Sequence, residues 1–90
     1  MAGVKLNKKW GFVDKTGNLV IACTYDDLYN FWDGLAGVKL NGKWGFIDTK
    51  GNIFIPIEYD NVKVFRDGFG KVQLFGKWWR IDKTGKLTMD

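Results

Sequence analysis

Four groups of residues in this sequence have types and spacings that could do chemistry. The first is Asp82-Lys83-Thr84-Gly85-Lys86-Leu87-Thr88, which has the form of a segment carrying a phosphorylated aspartate. A carboxylate nucleophile of that kind needs a parallel sheet behind it and further acidic residues to hold magnesium. The surrounding pattern offers neither. Asp-x-x-Gly also stands at Asp14-Lys15-Thr16-Gly17 and Asp48-Thr49-Lys50-Gly51, and a turn explains three copies better than a nucleophile. There the carboxylate accepts from a backbone N–H two residues on, and glycine takes the left-handed position. The second group, Asp26-Asp27 with Asp60-Asn61, invites a cation. Calcium asks for about six oxygens, whereas neighbouring strand residues point to opposite faces. A turn or strand-entry role fits these residues, and Glu58 has only Thr24 as its counterpart. The third, Gly68-Phe69-Gly70, lacks the following helix and Lys-Ser/Thr of a phosphate loop. The fourth sets cations among aromatics: Lys39, Trp44, Lys71, Trp78, Arg80 and Lys83. That mixture suits an anionic ligand, or sugars and bases stacked on indoles.

Missing residue types narrow the chemistry further. The 90 residues include no His and no Ser, and Cys23 is the lone thiol. Ser-His-Asp and Cys-His nucleophiles, His-ligated metals and internal disulfides are therefore excluded. The expectation is a protein that is not an enzyme and has neither metal nor cofactor. Cys23 ends the apolar run Leu19-Val20-Ile21-Ala22-Cys23, which points to a small buried hydrophobe. Apolar residues make up 46% and charged residues 27%, a balance that supports a folded core. No apolar stretch approaches the roughly 18 residues of a membrane span, and no signal peptide is visible. A complete chain of this kind would be cytoplasmic and would not engage a membrane.

These candidate residues must be positioned by a repeated element. Trp10-Gly11 returns as Trp44-Gly45, with Trp78 following, and positions 10, 44 and 78 are each 34 residues apart. Ala2 to Asn7 recurs unchanged as Ala36 to Asn41, Tyr25-Asp26 as Tyr59-Asp60, and Phe31-x-Asp33-Gly34 as Phe65-x-Asp67-Gly68. The chain reads as one domain over residues 1–90, with units at 2–35 and 36–69 and a truncated unit at 70–90. Its net charge of +4 divides as zero, +1 and +3 over those units, rising toward the C-terminus.

The run Gly42-Lys43-Trp44-Gly45-Phe46-Ile47-Asp48, continuing through Gly51 and Ile55-Pro56 to Tyr59-Asp60, resembles the WG (or KWG) repeat found mainly in bacterial proteins. Unit one matches with Ala22 where Pro is usual, and unit three departs with Trp79-Arg80 in place of Gly-Phe. The resemblance implies a β-rich repeat of the interaction or ligand-binding kind. It brings no catalytic residue set.

The residues themselves also read as strands. Val38-Lys39-Leu40 alternates, Asn41-Gly42 is a strong two-residue hairpin signal, and Lys43 to Asp48 alternates again. Phe75-Gly76 repeats that turn, while Asn7-Lys8 makes a poorer one because Lys tolerates positive φ badly. The predicted fold is all-β: tandem antiparallel hairpin repeats of period 34, with three to four short strands per unit and about ten to eleven in all. The units form a stacked or propeller-like array. A two-residue loop pairs Leu40 with Lys43, Lys39 with Trp44, Val38 with Gly45 and Gly37 with Phe46. Phe46 is then expected to cover Gly37, and Lys39 to lie along the Trp44 indole. In unit three the same register sets Arg80 opposite Lys71 and Trp79 opposite Val72. A neighbouring unit is expected to fill the space over Gly45, and Trp79 to fill it in the last unit. Trp79 should therefore be largely buried, and Arg80 exposed or paired with an anion or carboxylate.

Two functions follow from this reading. The first is a non-catalytic interaction module for a protein partner, a second copy of itself or a surface glycan. Self-association has a motive if the truncated third unit leaves an unpaired strand edge. The alternative is a binding or sequestering domain for a small anionic, nucleotide-like ligand, using Trp/Phe stacking with Lys and Arg. The candidate binding residues are Lys71, Trp78, Arg80, Lys83, Trp44 and Lys39. Nothing in the pattern calls for nucleic acid.

Overall fold

The computed structural model describes residues 1–89 of the chain. These form eleven β-strands in three antiparallel sheets, with no helix among the described residues. Sheet 1 contains β1 (Ala2–Leu6), β2 (Lys9–Val13) and β3 (Leu19–Tyr25), in that order. Sheet 2 runs β4 (Asp27–Leu28), β5 (Leu35–Leu40), β6 (Lys43–Asp48) and β7 (Ile53–Tyr59). Sheet 3 runs β8 (Asn61–Arg66), β9 (Phe69–Leu74), β10 (Lys77–Asp82) and β11 (Leu87–Met89). Principal extents of 40 × 26 × 15 Å describe an elongated stack, not a closed barrel.

Tight turns set the register. Asn41 and Gly42 take φ of 52° and 82°, both positive, as a two-residue hairpin of the right twist requires. The pairs Leu40↔Lys43, Lys39↔Trp44, Val38↔Gly45 and Gly37↔Phe46 follow as expected. Lys8 is held at φ 68°, so the first hairpin makes the same turn with a residue that resists it. At the other strand ends, Asp14, Asp48 and Asp82 each accept backbone N–H bonds from residues two and four ahead, at 2.9–3.0 Å. Asp-x-x-Gly is a turn.

The sheets do not follow the sequence period strand for strand. β4 follows β3 of the first repeat, yet it pairs with β5 through Asp27↔Lys39 and Leu28↔Val38. Likewise β8, from the end of the second repeat, pairs with β9. Each strand that closes one repeat thus opens the next sheet and binds the two units through backbone hydrogen bonds. The truncated third unit still ends on an edge strand, β11, which pairs with β10. Sheet 3 has its full four strands, and sheet 1 is the one with three.

Packing between sheets is directional. One face of sheet 2 carries Leu35, Trp44, Phe46, Ile55 and Tyr59, which pack on Val62, Phe65, Val72 and Ile81 of sheet 3. Its other face, with Ala36, Val38 and Ile47, packs on Phe12, Ile21 and Tyr25 of sheet 1. An aromatic-rich face of one sheet therefore meets an aliphatic face of the next, twice. Phe31 contacts Phe12 with ring centroids 4.6 Å apart, and Phe65 contacts Phe46 at 4.8 Å, each pair one period from the other.

Several local expectations need correction. A β-carbon at Gly37 would meet the Tyr29 ring at 2.9 Å and Val62 at 3.2 Å before Phe46 at 3.7 Å. The strand preceding the hairpin and the next sheet cover this glycine, and Phe46 only borders it. Tyr29 also stacks on Trp44, with centroids 4.8 Å apart and planes at 13°, in the place expected of Lys39. Cys23 is half-buried, with its Sγ 3.9 Å from the Val4 carbonyl oxygen. The space at Gly45 is filled from within its own sheet. The pairing jumps from Trp44↔Tyr59 to Phe46↔Ile55, and the bulge so formed drives β7 backbone across the glycine. A β-carbon there would lie 2.6 Å from the Ile55 carbonyl oxygen and 2.7 Å from Ile57 Cα. Gly11 meets the backbone of β3 in the same way.

In sheet 3 the corresponding pair, β10 with β11, has no such bulge among the described residues. Trp79, Arg80 and Ile81 pair regularly with Met89, Thr88 and Leu87, which leaves room for a side chain at position 79. The Trp79 indole packs against the sheet 2–sheet 3 core but is half-buried, not largely buried. β11 is only three residues long and Met89 opposite is itself exposed, so solvent reaches one side of the ring.

Two stability predictions follow, both read by urea unfolding. Gly45→Ala should cost at least about 2 kcal/mol, because its methyl group meets backbone that cannot rotate away. Trp79→Gly should cost about 2 kcal/mol, below the range for a fully buried Trp. Equal and negligible losses would contradict the bulge account. Separately, Lys8→Gly should raise stability by about 0.5–1 kcal/mol by relieving a positive φ, and an unchanged or lower midpoint would refute this.

Candidate functional site

The outer face of sheet 3 carries two of the four basic candidates, Lys71 and Arg80, beside two further cations, Lys63 and Arg66. Cross-strand pairing sets Lys63 of β8 opposite Lys71 of β9, Lys71 opposite Arg80 of β10, and Arg80 opposite Thr88 of β11. Three cations thus stand in one row, on neighbouring strands about 5 Å apart. One residue row further along, Arg66 pairs with Phe69. Lys63, Arg66, Lys71 and Arg80 line an open cleft of about 550 Å³ together with Asp67 and Phe69.

Aromatic rings position three of these cations. The Lys63 ammonium lies 4.9 Å from the Trp78 ring centroid, the Arg80 guanidinium 5.1 Å from Phe69, and the Arg66 guanidinium 5.7 Å from Trp32. Each contact favours the cation electrostatically and restricts its side chain. In exchange, a ring face is occupied by a cation and is withdrawn from stacking on a ligand.

The period explains how this face arose. Counting back 34 residues, Lys63, Arg66, Lys71 and Arg80 correspond to Tyr29, Trp32, Gly37 and Phe46. Three of those residues build the interface between sheets 2 and 3: Tyr29 stacks on Trp44, Gly37 admits Val62, and Phe46 packs on Phe65. All four of these positions carry positive charge in sheet 3.

Of the residues singled out from sequence, Lys71 and Arg80 line the cleft, and Trp78 stands beside it under Lys63. Lys83 lies elsewhere, its ammonium donating to the Asp33 carbonyl oxygen at 3.0 Å. Trp44 is 6% exposed and belongs to the core. Lys39 sits on sheet 2 opposite Trp44 and Asp27, away from the cleft. Lys63, Arg66 and Phe69 were missed. The signal for the first two was present in the sequence, since each replaces an aromatic residue of the preceding repeat.

The acidic residues at the repeat period are occupied as staples. Asp26 takes an ion pair from Lys9 and accepts the Asn41 N–H at 3.0 Å. Asp60 takes Lys43 at 2.7 Å and the Phe75 N–H at 3.2 Å. Each carboxylate ties its own sheet to the hairpin turn of the next. The Lys9 hydrogen bond and the Asn41 N–H hold the Asp26 pKa below its usual value, and the Lys43 hydrogen bond and the Phe75 N–H do the same for Asp60. Thr16 and Thr84 hydroxyls likewise lower Asp14 and Asp82. Burial pushes the phenols of Tyr25 and Tyr59 up, so both remain neutral at physiological pH.

A folded pKa below the unfolded one contributes stability that is complete above the unfolded value and lost as pH falls through the folded value. Urea midpoints should therefore be level from pH 7 down to about pH 4 and fall below it. Asp26→Asn combined with Asp60→Asn should flatten that acid limb. An acid limb unaltered by the double substitution would remove these staples from the account.

The profile of the WG containing repeat matches residues 10–44 and 44–78, running from one repeat tryptophan to the next. Neither a characterised protein nor a solved structure matches the chain.

Proposed function

We propose that this chain, which belongs to the WG-containing repeat family, is a non-catalytic binding module whose C-terminal sheet face receives a negatively charged partner. The observation that carries this reading is the joint replacement of Tyr29, Trp32, Gly37 and Phe46 by Lys63, Arg66, Lys71 and Arg80 on one face. Three cations in cross-strand register concentrate positive charge on that face, which favours an anionic partner.

Other readings receive less support from the geometry. A glycan platform needs open indole faces, whereas Trp44 is buried and Trp78 carries Lys63. Head-to-tail stacking of copies would press this basic face against the aliphatic face of sheet 1 and desolvate its cations at a cost. Asp14, Asp26, Asp60 and Asp82 are engaged in turns and staples, which argues against their serving as acid or base.

Titration with a decaglutamate peptide, followed by tryptophan fluorescence, tests the proposal. Binding should weaken at least about tenfold between low and physiological salt, since screening acts on exposed charges. Lys71→Glu with Arg80→Glu should abolish it while leaving the urea midpoint near that of the parent chain. Salt-independent binding, or none at any salt concentration, would overturn the assignment.

A further inference from the structure

Sheet 1, at the other end of the stack, repeats a docking edge that is filled twice elsewhere in the chain. Between sheets 1 and 2, the Asp26 N–H donates to the Lys39 carbonyl oxygen at 2.8 Å, and the Asp26 carboxylate accepts the Asn41 N–H at 3.0 Å. Between sheets 2 and 3, the Asp60 N–H donates to the Gln73 carbonyl oxygen at 2.9 Å, and the Asp60 carboxylate accepts the Phe75 N–H at 3.2 Å. One aspartate thus grips the outer edge of the following hairpin at two points. The residues after it then extend that edge as β4 or β8. The first hairpin offers the same edge. Ala2 to Asn7 is identical to Ala36 to Asn41, the strands pair in the same register, and Asn7 and Asn41 take φ of 51° and 52°. The Lys5 carbonyl and the Asn7 N–H stand where those of Lys39 and Asn41 stand. Among the described residues, no strand pairs with the outer edge of β1 and no carboxylate meets Asn7.

The face beside that edge is open as well. Ala36, Val38 and Ile47 are fully buried under the aromatic face of sheet 1. Their counterparts in sheet 1 are Ala2, which is exposed, and Val4 and Val13, which are half-buried. Leu6, the counterpart of half-buried Leu40, is 57% exposed. A repeat stack ordinarily ends on a polar face, and an unpaired edge invites another strand. We infer that sheet 1 is an acceptor for a further WG-type repeat, carried by another polypeptide. The closing segment of that repeat adds a fourth strand beside β1, and its aromatic sheet face covers Ala2, Val4 and Val13. The chain's own interfaces define the chemistry of that segment: Tyr25-Asp26-Asp27-Leu28 and Tyr59-Asp60-Asn61-Val62. A second copy of this chain is a poor source, because both of its closing segments are already paired as β4 and β8. Main-chain hydrogen bonds supply the affinity in strand addition of this kind, and the aspartate fixes its register. The inference does not depend on the basic face of sheet 3.

The intact chain, labelled for NMR, is titrated with a synthetic peptide of the sequence of residues 25–34. A scrambled peptide and one with Asn at its second position serve as comparisons. Amide signals of Gly3, Lys5 and Asn7 should shift with the first peptide. The Asn peptide should bind about tenfold more weakly, the scale of one hydrogen bond to a charged group. Lys5→Pro should abolish binding and leave the thermal midpoint near that of the parent, because proline is tolerated on an edge strand whose N–H faces solvent. Should that variant unfold, the comparison of the peptides decides alone. Shifts confined to sheet 3, equal binding of the scrambled or Asn peptide, or no binding at millimolar peptide would overturn the acceptor edge. None of these outcomes alters the decaglutamate result expected at sheet 3. Sedimentation equilibrium of the chain alone should show a monomer. A dimer abolished by Lys5→Pro would make a second copy the occupant and overturn the foreign repeat.

Discussion

Everything in this protein depends on one contact, the packing of an aromatic-rich sheet face on the aliphatic face of the next sheet. A sheet of three or four short strands cannot bury its own apolar residues. Sheet 2 is stable because Trp44, Phe46 and Tyr59 are covered by Val62, Phe65 and Val72 on one side, while Val38 and Ile47 cover Phe12 and Tyr25 on the other. Such a fold is a one-dimensional array, in which each unit is held by its neighbours and the two ends differ from the middle.

Three further devices make that contact specific. The fourth strand of each repeat crosses over to open the next sheet, so consecutive units share backbone hydrogen bonds as well as side-chain packing. Asp26 and Asp60 add a charged staple from one sheet to the next hairpin turn. The bulges opposite Gly11 and Gly45 bend β3 and β7 over their partner strands, and they account for the glycine of the Trp-Gly pair. The motif that names the family is thus a packing motif. Trp44 lies in the core and Trp10 against it, while Gly11 and Gly45 make way for backbone.

A continuing stack would place aromatic residues at positions 63, 66 and 80, a glycine at 71, and a further sheet over all four. With cations there, this face of sheet 3 is basic where the matching face of sheet 2 is apolar. The aromatic residues that remain, Trp78 and Phe69, lie against those cations, so they orient charge and present no bare rings.

Much of this was legible without coordinates, and the part that was legible is local. The 34-residue period, the hairpins at Asn41-Gly42 and Phe75-Gly76, and the Asp-x-x-Gly turns follow from residue types a few positions apart. The register from Leu40↔Lys43 to Gly37↔Phe46 follows from turn length, as does Arg80 opposite Lys71. A two-residue turn leaves only one way for its flanking strands to pair, so the sequence by itself determined the strands, their pairing within a hairpin and two of the site's cations. The transfer of β4 and β8 to the next sheet, Tyr29 over Trp44, the bulge over Gly45 and the arrival of Lys63 and Arg66 at the cleft were decided by tertiary structure. These contacts join separate segments across sheets and bulges, and their geometry depends on how whole sheets stack, which no short-range spacing encodes.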